Sequence, residues 1–466
     1  MTGTKTSIEF DSELIKRYDK SGPRYTSYPT AASFHDGVDE ATYARHARHS
    51  NEDPIPGPIS LYVHIPFCDT LCFYCACNKI ATKNRSLADT YLTYVEKEAD
   101  IQSSYYDDDR QVTQLHWGGG TPTFLTEVQS ERLMEILSEK FRFADESVRD
   151  FSIEVDPRSV TRNGIQHLHD LGFNRFSLGV QDLNEKVQEA VNRIQPVEIT
   201  LEVIEACRKV GSRSLNIDLI YGLPFQTAES FEKTLDGIID MSPDRLSVFN
   251  YAHMPELFSP QKRIRAEDLP PASEKLVMFQ MTIEKLVDAG YVYIGMDHFA
   301  KPDDELTLAL ENGSLQRNFQ GYSTHKECDL IAMGTSSISS LDRLFVQNEK
   351  TLDTYYERLD KSELPIAKGL ELGWDDCIRR EVIHQIMCRN ELIFDEVDEG
   401  FGCECQKYFV NELQQLKPMQ EDGLLNMDDH HIQVTPKGRL LIRNIAMVFD
   451  AATAKLEEKR TFSKVI

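Results

Sequence analysis

Six short runs rich in β-branched and aromatic residues recur through the middle of the chain: Leu61–Phe67, Gln114–Trp117, Phe151–Val155, Arg175–Val180, Leu215–Tyr221 and Arg245–Ala252. Amphipathic stretches separate them, among them Ser86–Gln102, Glu127–Phe141, Pro196–Val210 and Thr227–Asp240. Strand and helix in alternation build βαβ units and hence a parallel sheet. Six such units predict an α/β fold whose sheet curls into a partial (β/α)6 barrel. Ligands of such sheets bind beyond the carboxyl ends of the strands.

Directly after the first strand comes Cys68-Asp-Thr-Leu-Cys72-Phe-Tyr-Cys75-Ala-Cys77. Three thiolates spaced C-x3-C-x2-C can hold three irons of a four-iron cluster and leave the fourth iron open to another ligand. Structural zinc sites and electron-transfer clusters want four protein ligands instead. Zinc and a disulfide framework are the competing readings. Met1–Lys16 is polar and mixed in charge, unlike a signal peptide, and no apolar run reaches the roughly 18 residues a membrane span needs. A reducing cytoplasm is therefore expected, where clustered cysteines serve metal or redox chemistry. The remaining cysteines are scattered, apart from Cys403-Glu-Cys405, and are expected to be small buried hydrophobes.

The other strand ends are also polar or glycine-rich. After the second lies Gly118-Gly119-Gly120-Thr121-Pro122, after the third Glu154, Asp156 and Pro157, and after the fourth Gly179, Gln181 and Asp182. The fifth ends in Asp218–Pro224 and the sixth in Asn250–Ala252. Each alone reads as a turn or cap. Five in succession beside a cysteine triad point to one shared site. A formal charge of −25 argues against a nucleic-acid partner or an anionic membrane, because phosphate binding needs a basic face. An acidic small substrate remains compatible if local arginines line its pocket.

The aromatic Tyr74 before the third cysteine and the Gly118–Thr121 run resemble the radical S-adenosylmethionine (SAM) superfamily. A narrower resemblance is carried by Gly22-Pro-Arg-Tyr-Thr-Ser-Tyr-Pro-Thr30, Tyr62–Cys68, Cys75-Ala-Cys77-Asn-Lys-Ile80, His116–Thr123 and Asn250–His253. Gly295–Ala300, Arg317-Asn-Phe-Gln-Gly-Tyr322 and Gly438–Asn444 extend it across nearly the whole chain. These motifs resemble the oxygen-independent coproporphyrinogen III oxidase (dehydrogenase) family. The resemblance implies an oxidoreductase of porphyrin and haem biosynthesis. It would convert two propionates of coproporphyrinogen III to vinyl groups through a 5′-deoxyadenosyl radical. The implied cofactors are a [4Fe-4S] cluster and SAM, with a second SAM nearby. An electron donor for the cluster and an external electron acceptor are implied as well.

Residue by residue, the resemblance implies that Cys68, Cys72 and Cys75 hold the cluster and that Cys77 does not. It puts Tyr62, Gly119 and Glu154 against the cluster-bound SAM. Tyr74, Gly120, Thr121, Gln181, Arg193, Asp218, Ala252 and Ile338 fall against the second. Without the motifs, Glu154 and Arg193 would read as surface charges and Ile338 as core. Three parts are expected: an extension over residues 1–50 that folds over the site, the barrel with its extension over 51–365, and a mainly helical, winged-helix-like domain over 366–466. A monomer is expected. Two alternatives share the cysteine and glycine motifs, a haem-binding chaperone and a radical SAM enzyme that opens the haem ring. Chaperone relatives resemble this chain less at Cys77-Asn-Lys and at Gly22–Thr30.

Overall fold

The structure is a computed structural model that describes residues 7–325 and 327–454. Two compact units divide the chain by contact rather than by order. One comprises Phe34–Met278 and Glu327–Glu371, the other Met1–Ser33, Phe279–Lys326 and Leu372–Ile466.

The first unit is built on β1 (Ile59–Ile65), β2 (Gln111–Gly119), β3 (Asp150–Val155), β4 (Arg175–Gln181), β5 (Ser214–Tyr221) and β6 (Arg245–Asn250). They lie in the order β6-β5-β4-β3-β2-β1, every neighbouring pair parallel. The helices α1 (Ser86–Ser103), α2 (Glu127–Lys140), α3 (Arg162–Asp170), α4 (Val197–Lys209) and α5 (Ala228–Met241) make the crossovers. This is the partial (β/α)6 arrangement expected from the alternation; α3 is the crossover helix the sequence reading had not singled out. On the far side of β1 a parallel β7 (Asp329–Met333) is added, and β8 (Ile338–Leu341), β9 (Leu344–Asn348) and β10 (Ile366–Glu371) continue antiparallel.

Strand alternation gives the sheet two chemically different faces. One set of side chains is apolar and fully buried: Leu61, Val63, Leu115, Trp117, Ile153, Leu178, Ile217 and Leu246. Trp117 packs edge-on against Phe173 with centroids 4.8 Å apart. Side chains of this size contribute roughly 1.5–3 kcal/mol each when buried. The alternating set is polar and hydrogen-bonded across strands. His116 Nδ1 lies 2.7 Å from Ser152 Oγ, and Asn216 Nδ2 donates across to Ser177 Oγ at 2.9 Å and, within its own strand, to Asp218 Oδ1 at 2.8 Å. A core lined this way is stable only because its polar groups pair with one another.

The second unit has its own apolar core, in which Leu14, Tyr18, Tyr25 and Tyr28 pack with Ile378, Ile386, Leu424 and Phe449. Residues 14–28 are fixed there. Tyr25 donates to Asp450 Oδ2 at 2.8 Å, Arg443 Nε donates to the Pro23 carbonyl at 2.9 Å, and Asn444 Nδ2 to the Tyr18 carbonyl at 2.8 Å. A hairpin forms as Leu425–Met427 and His431–Val434, with Glu391–Ile393 as a third strand. Helices Trp374–Arg389, Phe394–Phe401 and Val410–Glu421 surround it. Among the described residues no helix is long and apolar enough to cross a membrane.

Candidate active site at the carboxyl edge of the sheet

All fourteen residues singled out for cluster and SAM contacts belong to the first unit. Those on β1–β6 lie from the middle of the strand to its carboxyl end or in the connections that follow, and Ile338 opens β8. The cysteine loop leaves β1 through a two-residue strand, Phe67–Cys68, paired in parallel with Ile80–Ala81. Its middle is tethered from outside. Phe73 N donates to the Val191 carbonyl at 2.9 Å, and Asn192 Nδ2 donates to the Leu71 carbonyl at 2.8 Å. Phe73 and Tyr74 pack against the apolar cluster of Val187, Val191, Leu223, Tyr251 and Ile264. A loop pinned at both ends and at its centre presents its sulfurs in a fixed geometry.

None of the cysteines is in a disulfide, which removes that reading. Cys68 and Cys72 are buried, Cys75 is half-buried and Cys77 is exposed. Thr121 Oγ1 donates to Cys68 Sγ at 3.3 Å. Arg158 and Arg193 each donate to Cys72 Sγ at 3.7 Å. Burial pushes the Cys68 thiol up to about 11. A bond from the Cys77 thiol, and then the Lys79 ammonium, pull Cys75 the other way, down to about 6. Soft sulfur donors with cations and a hydroxyl aimed at them suit an anionic iron–sulfur centre.

Beside the loop, the glycine run is shaped by its neighbours. Gly119 sits at φ +114°, where side chains are strained, and a Cβ there would stand 2.6 Å from the His64 ring. A Cβ on Gly120 would stand 2.9 Å from the Pro66 and Phe67 carbonyls. Glu154 Oε2 accepts from Gly119 N at 3.1 Å, and its other oxygen lies 3.6 Å from His116 Nε2. The Tyr62 ring stacks on His116 at 5.7 Å. His64 fixes the Tyr62 hydroxyl: Nε2 donates to the Asn78 carbonyl at 2.9 Å, leaving Nδ1 to accept from Tyr62 at 3.1 Å. Burial keeps His64 below its ordinary range, which maintains this neutral tautomer. Tyr62, Gly119 and Glu154 are thus brought together.

Arg193 is 6 % exposed and not a surface charge. It meets Asp156 Oδ2 at 3.2 Å, which Arg158 also holds at 2.7 Å. Burial opposes the Asp156 charge, but the two guanidiniums keep its carboxyl below the usual range. Gln181 stands with Arg193 over Gly179, where a Cβ would meet both side chains within 3.1 Å. Asp218 pairs in register with Gly179 on the neighbouring strand, and burial raises it to about 6. Gln261, 2 % exposed, ties two further candidates together by donating to the Tyr74 carbonyl at 2.9 Å and the Ala252 carbonyl at 3.3 Å. Ile338 opens β8, past the carboxyl end of β7, and no hydrogen bond of its side chain links it to the rest. Sequence reasoning missed Arg158, Asn192, Gln261 and the His64–Asn78 contact. Only Arg158 carried a local signal, a cation two residues after Asp156.

A model of the Radical SAM superfamily matches residues 62–238, and one of the HemN C-terminal domain matches residues 375–441. The oxygen-independent coproporphyrinogen III oxidase of Pseudomonas aeruginosa is 49 % identical over 463 residues, 99 % of each chain. That of Salmonella typhimurium is 48 % identical over 99 % of this chain and all of its own. The solved coproporphyrinogen III oxidase of Escherichia coli, described as a radical SAM enzyme, superposes with a TM-score of 0.91 at 46 % identity. That match covers 96 % of this chain and 99 % of the other.

Proposed function

The chain belongs to the oxygen-independent coproporphyrinogen III oxidase family of radical SAM enzymes, and from that premise we infer its reaction and the residues that carry it. It is an oxidoreductase of haem biosynthesis that releases two propionate carboxyls of coproporphyrinogen III as CO2. Two vinyl groups remain, and the product is protoporphyrinogen IX. When bound, a [4Fe-4S] cluster and SAM supply hydrogen abstraction from a propionate β-carbon by a 5′-deoxyadenosyl radical. The observation that carries this reading is the pinned loop of three cysteines beside the triglycine, at the carboxyl edge of a parallel sheet.

Cys68, Cys72 and Cys75 would hold the cluster and Cys77 would stay outside it. Arg158 and Arg193 donate to Cys72 Sγ and would offset the charge of a cluster held there. Tyr62, Gly119 and Glu154 would receive the cluster-bound SAM, with the Glu154 carboxylate as acceptor for its ammonium. A second SAM would lie against Tyr74, Gly120, Thr121, Gln181, Arg193, Asp218, Ala252 and Ile338. Support comes from Gln261, which holds Tyr74 and Ala252 in one place, and from Gln181 and Arg193 meeting over Gly179. An electron donor to the cluster and a separate acceptor for the electron left after CO2 departs would complete the reaction. We place the protein in the cytoplasm as a monomer.

The test is anaerobic turnover of coproporphyrinogen III by reconstituted protein with SAM and a reductant, run beside haem as the alternative substrate. Protoporphyrinogen IX as product is expected. Haem transfer without SAM cleavage, or consumption of haem with SAM, would replace this reading with the chaperone or the ring-opening enzyme.

A further inference from the structure

In the second unit, a short hairpin joins Gln316–Asn318 to Gly321–Ser323 and carries the motif Arg317-Asn-Phe-Gln-Gly-Tyr322, which the cysteine site does not use. Arg317 and Tyr322 are register partners, and the guanidinium carbon lies 4.6 Å from the tyrosine ring centroid. Such a contact spends the face of the guanidinium on the ring and leaves its in-plane N–H groups to other partners. Those groups are open. Arg317 Nε and Nη1 are both buried with no hydrogen-bond partner, and so are Gln320 Nε2 and the Tyr322 hydroxyl. Four buried polar atoms on one small hairpin are far from the usual outcome, because each unmet donor penalises the fold.

Charge nearby has the same sign. Arg439 and Arg443 are almost fully buried and donate to backbone carbonyls: Arg439 to those of Ser7 and Tyr293, Arg443 to those of Gly22 and Pro23. Arg24 pairs with Asp297. Arg443 feels Arg24 and Arg317 as like charges and Asp297 as the opposite one, so these side chains form one electrostatic group. In a chain of net charge −25 this is a local surplus of cations.

An anion that accepts in-plane from a guanidinium meets both conditions. A carboxylate does so with two oxygens and gains strength from the charge. Resting on the proposed substrate, we propose that Arg317, with Gln320 and Tyr322 beside it, is a subsite for one propionate carboxylate of the tetrapyrrole. Arg24 and Asp297 set the charge around it.

Holoenzyme binding of coproporphyrin III, the air-stable tetracarboxylate, followed by porphyrin fluorescence, tests this directly. Arg317→Ala is expected to weaken binding roughly 10- to 100-fold, and Arg317→Lys to recover part of the loss. The tetramethyl ester, without carboxylates, is expected to bind wild type and Arg317→Ala alike. In turnover, KM for coproporphyrinogen III rises in Arg317→Ala. If Arg317→Ala fails to fold, Tyr322→Phe, which removes one donor, is expected to lower affinity about 3- to 10-fold for the acid and not for the ester. Wild-type affinity for coproporphyrin III in folded Arg317→Ala, or in Tyr322→Phe, overturns the subsite while leaving the enzyme reading intact. Failure of wild type to convert coproporphyrinogen III overturns the enzyme reading itself.

Discussion

At the carboxyl edge of the sheet, Arg158 and Arg193 share Asp156 and also reach Cys72. On the hairpin of the other unit, Arg317 keeps Nε and Nη1 buried without a partner. Both places concentrate buried cations, but Arg193 keeps one unpartnered nitrogen, Nε, beside its bonds to Asp156 and Cys72, whereas Arg317 keeps both Nε and Nη1 unpartnered. The contrast fits what each would receive. A cluster assembled on thiolates needs ligands held in place beforehand, so its cations are anchored to a carboxylate. A substrate that comes and goes brings its own anions, so its receptor is left with unmet donors. Residues that await a ligand trade stability for function.

The comparison breaks most sharply at the cysteines. Cys68→Ala, Cys72→Ala or Cys75→Ala should each abolish the cluster and all activity, because no neighbour supplies a replacement thiolate. Cys77→Ala should retain iron and sulfide close to wild type. Iron and sulfide counts with EPR of the reduced protein check this. A Cys77 variant without iron beside a Cys72 variant with it would reverse the ligand assignment.

Glu98 offers a pH test of how the first unit handles a buried charge without a cation. It is fully buried and accepts from Tyr355 at 2.5 Å, Asn348 at 2.7 Å and Gly334 N at 2.8 Å. Burial raises it from 4.5 to about 7. The folded state therefore holds the proton where the unfolded chain has lost it. The stabilisation is full below about 4.5 and disappears as the pH rises through about 7. The loss is on the order of 3 kcal/mol. Chemical denaturation at pH 5 and pH 8 should show it, and Glu98→Gln should flatten the difference. An unchanged pH dependence in Glu98→Gln would assign it to other groups.

Stability separates the two arginines. Arg193→Ala leaves Asp156 buried with one cation fewer and should destabilise by about 2 kcal/mol. Arg317→Ala removes unmet donors and should change stability by less than about 1 kcal/mol, in either direction. Urea titrations of both variants without substrate decide the matter, and equal losses would erase the distinction drawn between the two regions.

Two glycines with left-handed backbones give the smallest and cleanest contrast. Gly119 has φ +114° and the His64 ring 2.6 Å from where a Cβ would stand, whereas Gly211 has φ +76° and open space. Gly211→Ala should lose about 1 kcal/mol from backbone strain alone. Gly119→Ala should lose more, and SAM affinity should fall with it. Equal losses with unchanged SAM affinity would make the glycine run a turn and nothing else.

The six parallel strands were legible because β-branched runs must be buried against helices on one face, and that pattern is local. The cysteine triad was legible because its ligands sit within eight residues of one another. What was hidden depends on partners far apart in the chain. Glu98 meets Gly334 across 236 residues, and Gln261 meets Tyr74 across 187. Residues 1–50 read as an extension over the site, and nothing in that stretch announced that Tyr25 packs in an apolar core and donates to Asp450, 425 residues away. No spacing rule announces such contacts.

The central claim is that this chain removes hydrogen from a propionate β-carbon by radical chemistry begun at the three-cysteine loop. The direct test is anaerobic turnover of coproporphyrinogen III deuterated at those carbons, with mass analysis of the deoxyadenosine formed. The account predicts deoxyadenosine carrying the substrate's deuterium, matched by vinyl groups in the product and lost in the Cys72→Ala variant. Deoxyadenosine without deuterium while the tetrapyrrole is decarboxylated would contradict it.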